Sequence, residues 1–225
     1  MTIVYSGTRN LYEQMYVSLK SVLLNTPNVN AILFIEDDTF PYELPQNVKT
    51  INVSKQTIFR EDGANYRTRF SYMTLIRGAL AKLIDEDIVL SFDCDVIALK
   101  DISGIFDIDL EGFYFSASKE PLKSQIRLYT NTGVCLYNLK ALRDSGMADK
   151  VIDALNNKYY AFCEQDCFNE LCQGYIKEMD SKYNATMFTE ATNDVVIKHF
   201  ASIKDWTNDR DYKRYKDAPM PNIKS

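Results

Sequence analysis

Histidine occurs once in the 225 residues, so any imidazole ligand or base has to be His199. No apolar run approaches the roughly 20 residues that cross a bilayer, which argues against a membrane span. A net charge of −5 supplies no basic excess for non-specific contact with nucleic acid. The five cysteines (Cys94, Cys135, Cys163, Cys167, Cys172) are odd in number and lack the close pairing of a metal finger. Reduced, mostly buried thiols are therefore expected rather than a disulfide framework. The N-terminus passes at once into Ile3-Val4-Tyr5, without the charged-then-apolar layout of a secretory leader. These absences together lead us to expect a cytoplasmic protein. Internal repeats, low-complexity tracts and a second-domain boundary are also lacking. The length suits one sizeable domain with its own core. Apolar and charged fractions of 46% and 25% are ordinary globular values. Fifteen tyrosines and twelve phenylalanines supply core volume and faces that stack on sugars or bases.

Strand and helix patterns alternate along the first half. Ile3-Val4-Tyr5, Ala31 to Ile35 and Val48 to Val53 read as strands. Leu11, Met15, Leu19, Val22 and Leu23 recur at helical spacing between the first two, with Asn10 and Glu13 spaced as a capping box. Apolar positions Met73, Ile76, Leu80, Leu83 and Ile84 mark a helix leading into Ile88-Val89-Leu90-Ser91-Phe92. Phe113 to Ala117 and Gly133 to Tyr137 read as further strands, and Met147 to Leu155 and Gln165 to Cys172 as helices. This order implies an α/β fold with a mostly parallel central sheet flanked by helices.

Asp93-Cys94-Asp95 follows the most apolar of these strands. Residues two apart on a strand project the same way, so both carboxylates converge where open α/β sheets bind ligands. Two such charges repel unless a cation joins them, and hard oxygen ligands suit Mg²⁺ or Mn²⁺. His199 also ends an apolar run, Val195 to Ile197 with Lys198, and the three are read as one metal site. Spacing alone admits a second reading, because Asp after a strand commonly caps a turn and a lone histidine is commonly a core residue.

Several further blocks occur in order. Asn131-Thr132-Gly133-Val134 opens a strand, Glu164-Gln165-Asp166 precedes a helical pattern, Tyr183-Asn184 follows, and His199 to Trp206 closes the series. With the Asp93-Cys94-Asp95 strand, this set resembles glycosyltransferase family 8 from Thr2 to about Trp206. The resemblance implies a single Rossmann-like GT-A domain over residues 1–206, with 207–225 a charged, aromatic tail. It implies a retaining hexosyltransferase that moves glucose or galactose from a UDP-sugar with the help of Mn²⁺ (or Mg²⁺). Asp93, Asp95 and His199 are the metal ligands that it implies, and Lys204 a positive charge at the diphosphate. Gln165 and Asp166 are implied at the reacting sugar, although Asp166 could equally cap the helix that follows. Thr8, Asn10, Arg77, Cys94, Asn131, Gly133 and Glu164 are implied around the donor. Gly133 could also mark a bulge.

The chain departs from that pattern at four places. Thr8 stands where the family commonly has an aspartate, and Thr74 where it has an arginine, with Arg77 one helical turn further on. Glu164 replaces an aspartate. The closing block is one residue short, with Ser202 for glycine and Asp205 for proline, so a different turn is expected there. Two other functions fit parts of the pattern: a nucleotide-sugar-binding protein with little catalysis, and a metal-dependent nucleotidyltransferase. The acceptor, whether glycan, lipid-linked sugar or protein, is not written in the motifs. Loops 54–67 and 118–130 and the tail are the expected acceptor contacts. The tail reads as a solvated segment, its tyrosines and basic residues offering an alternative peripheral contact with a membrane surface.

Overall fold

The computed structural model describes residues 1–121, 123, 127–189 and 194–221. Its elements run β1 (Thr2–Ser6), α1 (Tyr12–Asn25), β2 (Asn30–Ile35), β3 (Val48–Asn52), α2 (Leu80–Leu83), β4 (Ile88–Phe92) and β5 (Val96–Ala98). Then follow β6 (Phe115–Lys119), β7 (Thr130–Asn138), α3 (Leu139–Asp144), α4 (Met147–Asn157), α5 (Cys163–Leu171), β8 (Ile176–Met179), β9 (Ile197–His199) and α6 (Arg210–Asp217). Seven strands form one sheet in the order β3-β2-β1-β4-β7-β6-β8, with β7 antiparallel to both neighbours and every other pair parallel. The mostly parallel sheet expected from the sequence is present.

Alternation along β1 builds two cores. Val4 faces a layer containing Phe59, Met73, Ile76, Val151 and Phe168. Ile3 and Tyr5 face the opposite layer, with Met15, Leu19 and Val22 of α1. A sheet buried on both faces accounts for the continuous apolar runs of β2 and β4. The order reverses between β1 and β4, which leaves a crevice at their C-terminal ends. A separate two-stranded ribbon pairs β5 with β9 antiparallel, setting Val96 opposite His199. The five cysteines are free and buried, as expected.

Some expectations fail locally. Asn10 does not cap α1; its side chain bonds the Thr8 hydroxyl, and a short 3₁₀ turn at Arg9–Leu11 intervenes. Glu13 instead meets Lys216 Nζ at 2.7 Å and Tyr212 Oη at 3.3 Å. The helix expected from Phe70 is chiefly 3₁₀, over Tyr72–Ala79. The strand β8 shows no period of two, because only its end residues, Ile176 and Met179, are buried.

The tail is a docked helix, not a solvated segment. Asp209 caps α6 by accepting from the Asp211 N–H, and Tyr212 and Tyr215 are buried with Val17, Ile97 and Phe200. Lys20, itself buried, donates to the carbonyls of Lys216 and Ala218, satisfying the end of the helix where carbonyls lack partners. Tyr212→Ala is expected to cost about 3 kcal/mol of stability, the scale of an aromatic lost from a core. Urea unfolding measures this directly; a midpoint that does not move would put α6 back in solvent. No helix among the described residues is long and apolar enough to cross a membrane.

Candidate functional site

The crevice at the β1/β4 switch is a cavity of about 730 Å³. Ser6 from the end of β1 and Asp93, Cys94 and Asp95 after β4 line its floor. Arg77, Asn131, Glu164 and Gln165 line it from the flanking elements, and His199, Ser202 and Trp206 from the closing loop.

The two carboxylates and the histidine meet there. One ligand atom from each of Asp93, Asp95 and His199 lies within 4.8 Å of the others. The β5–β9 ribbon makes this meeting: the Phe200 N–H donates to the Asp95 carbonyl at 2.9 Å, and His199 Nε2 stands 3.3 Å from Asp95 and 3.6 Å from Asp93. Burial disfavours a charged imidazole, but the Asp95 carboxylate, by charge and hydrogen bond, and then Asp93, outweigh it and raise the His199 pKa. Asp95 is also more buried than an ordinary carboxylate, yet His199 holds its pKa below the usual value.

The other ring nitrogen has a fixed partner. His199 Nδ1 lies 2.8 Å from Asn184 Oδ1, and the Asn184 amide nitrogen donates to Asn131 Oδ1 at 3.1 Å. Asn131 in turn donates to Glu120 at 3.0 Å and accepts from the Gly133 N–H at 2.9 Å. With Asn184 oriented this way, Nδ1–H donates to it and Nε2 is the nitrogen facing the carboxylates. A cation bound there would take the place of the Nε2 proton, the arrangement a metal-binding histidine needs. Two carboxylate oxygens and one imidazole fit a hard divalent cation. The sequence marked Tyr183-Asn184 as a block but gave Asn184 no part; the structure makes it the partner of His199.

Gly133 serves this site without lining the cavity. A Cβ at this position would lie 2.2 Å from His199 Cε1 and 2.7 Å from Asp93 Oδ2. It is a place of close approach, where strand β7 passes directly beneath the ligand set. Arg77 is likewise a support, nearly fully buried, donating to Asp93 Oδ1 at 2.6 Å and to the Thr132 carbonyl at 3.1 Å, and pairing with Glu164. Burial pushes the Glu164 carboxyl up to about 7 against the pull of Arg77. The arginine looked for near Thr74 is thus Arg77; Thr74 lines the cavity as well.

Gln165 Oε1 accepts from the Thr132 N–H at 3.1 Å, and its amide donates to the Tyr129 hydroxyl at 3.2 Å. Asp166 does not line the cavity. Its carboxylate takes the Phe162 N–H at 2.8 Å and the Tyr129 hydroxyl, so it secures the start of α5 and the wall beside Gln165. Cys94 lines the floor, its Sγ 3.6 Å from the Ser6 carbonyl, and burial pushes its thiol far up. Thr8, Asn10 and Lys204 do not line the cavity, although Leu11 and Trp206, close to them in sequence, do. In the closing loop Ser202 sits at φ 65° and Asp205 at φ 57°. Serine therefore occupies a left-handed position that glycine takes freely, while aspartate tolerates one.

Comparison with known proteins bears on the fold and the family. The family model described as "Glycosyl transferase family 8" matches residues 2–210. The lipopolysaccharide 1,2-glucosyltransferase of Escherichia coli K12 is 26% identical over 214 residues, covering 84% of this chain and 63% of that protein. Glycosyltransferase GlyB of Streptococcus pneumoniae serotype 4 is 21% identical over 81% of this chain and 47% of its own length. The chain thus spans about half to two thirds of these relatives. The structure of the galactosyltransferase LgtC with donor and acceptor sugar analogues superposes with a TM-score of 0.72, over 96% of this chain and 95% of that one, at 19% identity. The fold is therefore the GT-A fold, and with a family match that runs from β1 into α6, the chain belongs to glycosyl transferase family 8.

Proposed function

We propose that the protein transfers a hexose, glucose or galactose, from a UDP-sugar to a hydroxyl acceptor with retention at the anomeric carbon, using Mn²⁺. The observation that carries this is the Asp93–Asp95–His199 set at the floor of a sugar-sized cavity in a family 8 chain. Asp93, Asp95 and His199 Nε2 would hold the cation. When bound, Mn²⁺ would offset the charge that develops on the UDP leaving group.

The chain's own residues would do the rest. Arg77 holds Asp93 and Glu164 in one network, which ties the metal end of the cavity to the wall where the sugar would lie. A double displacement needs a carboxylate placed against the sugar. Gln165, the residue offered there, is an amide and a poor nucleophile. We favour a front-face exchange: the bond from C1 to the phosphate oxygen breaks and that to the acceptor oxygen forms on the same face. The acceptor's proton passes to the departing phosphate oxygen. Gln165, fixed by Thr132 and Tyr129, would orient the sugar, and Asp166 would act through Tyr129. A nucleotidyltransferase would use cations in the first turn, but Arg9 is committed outward to Asp37.

The test is hydrolysis of UDP-glucose and UDP-galactose, with Mn²⁺ and with a chelator. Turnover of at least one, lost on chelation, supports the proposal; none with either sugar rejects the donor class. Asn184→Ala is expected to weaken Mn²⁺ binding about 10- to 100-fold by releasing the His199 ring, the usual scale for such partners. Calorimetric titration of Mn²⁺ reads this, and unchanged affinity would remove Asn184 from the site.

A further inference from the structure

The outer wall of the cavity carries a concentration of positive charge that the reaction as described leaves unused. Arg69, Phe70, Lys123 and Phe162 line it together. The Arg69 guanidinium lies 4.7 Å from the ring centres of both Phe70 and Phe162. Lys123 Nζ lies 3.5 Å from the centre of the Phe162 ring and 4.5 Å from that of Tyr129. Two cations are thus placed at one half-exposed ring in a protein of net charge −5.

Only one of the two cations has a carboxylate partner within ion-pair distance. Arg69 forms no ion pair among the described residues. Lys123 has Asp166 at 3.4 Å, but that carboxylate is shared with the Phe162 N–H and the Tyr129 hydroxyl. Glu120, the other carboxylate on this side, accepts from the neutral Asn131 amide and forms no ion pair with either cation among the described residues. An open aromatic face would suffice to stack a neutral sugar; here cations lie over the Phe162 ring, and cations so placed select an anion. The wall is also joined to the reacting end: the Tyr129 hydroxyl accepts from both Lys123 Nζ and the Gln165 amide, each at 3.2 Å. None of these wall residues bonds to Asp93, Asp95 or His199, where a metal would draw the diphosphate.

We propose that the acceptor is an anionic saccharide, bearing a carboxylate or a phosphate that Arg69 and Lys123, both seated over the Phe162 ring, hold at this wall. This rests on the glycosyltransferase reading above and adds the chemical class of the acceptor. Arginine's planar fork suits either anion, so the test carries both.

Calorimetry on the whole chain, with UDP and Mn²⁺ present, would compare methyl β-glucoside, methyl β-glucuronide and methyl β-glucoside 6-phosphate. At least one anionic probe is expected to bind about 10-fold more tightly than the neutral one, the preference falling as salt is added. The better arm identifies carboxylate or phosphate. Arg69→Gln and Lys123→Gln should each remove most of the preference, while Arg69→Lys keeps part of it; a purely structural role would weaken all three probes alike. Equal binding of the probes, or binding of none, overturns the inference. A large loss of UDP affinity in Arg69→Gln also overturns it, by assigning the charge to the donor. Failure of the wild type to bind UDP with Mn²⁺ overturns the glycosyltransferase reading and the inference with it, whereas UDP binding without charge preference overturns the inference alone.

Discussion

Gly133→Ala is expected to lower Mn²⁺-dependent turnover of the donor by about 100-fold or more, the cost of misplacing a reacting group by roughly an ångström. The added methyl would sit 2.2 Å from His199 Cε1 and 2.7 Å from Asp93 Oδ2, far inside contact distance. Neither neighbour can yield freely. The ring of His199 is held by Asn184, and its backbone by β5 and by the Ala185 carbonyl at 2.8 Å. Asp93 is held by Arg77 and by the Gly133 carbonyl. The methyl therefore spreads the ligand set, and overpacking adds about 1–3 kcal/mol of destabilisation. Mn²⁺ affinity by calorimetry and a melting curve separate the two effects. Wild-type affinity in the variant would mean that His199 and Asp93 are not ligands in this arrangement.

Arg77→Met is expected to be the most destabilising substitution in the site, by about 3–5 kcal/mol, because it leaves a buried carboxylate without its partner. Glu164 is almost fully buried, and its Oε2 has no protein partner even in the wild type. Burial already pushes its carboxyl up to about 7, above its unfolded value. A raised carboxylate pKa stabilises the folded state at low pH and loses that contribution as pH rises through the folded value. Without Arg77 the folded pKa climbs further, so the deficit of the variant should widen between about pH 5 and pH 8. Chemical denaturation at those two pH values measures it. The double variant Arg77→Met with Glu164→Leu removes both charges and should regain much of the stability, without regaining turnover. A single variant as stable as the wild type at the higher pH would show that the pair is not buried as described.

Legibility followed locality. Asp93 and Asp95 stand out because an apolar strand and a two-residue spacing are visible in any ten residues of chain. His199 could be joined to them because it is the one histidine and also ends an apolar run. The resemblance implies Gly133 around the donor, while a glycine by itself says only that something comes close. What comes close is His199, 66 residues later, through a ribbon of three-residue strands too short to announce itself. Asn184 was visible as part of a block, but its hydrogen bond to the ring depends on two loops meeting. Asp166 carries the charge expected of a reacting group, yet its carboxylate is spent on Phe162 and Tyr129. The tail deceived for another reason. Charges at Asp209, Asp211 and Lys216 suggest solvent, while Tyr212 and Tyr215, three apart, form the helical face that packs on α1. The expected acceptor loop 118–130 does reach the cavity through Glu120 and Lys123, with residues 122 and 124–126 outside the described set; loop 54–67 does not line it.

The central claim is that Asp93, Asp95 and His199 hold a divalent cation on which nucleotide binding depends. Calorimetric titration of UDP into the wild type and Asp95→Ala, each with and without Mn²⁺, tests it most directly. The account predicts tight binding by the wild type only when Mn²⁺ is present, and its loss in Asp95→Ala with an unchanged melting curve. UDP binding that ignores Mn²⁺, or that survives Asp95→Ala intact, would contradict it.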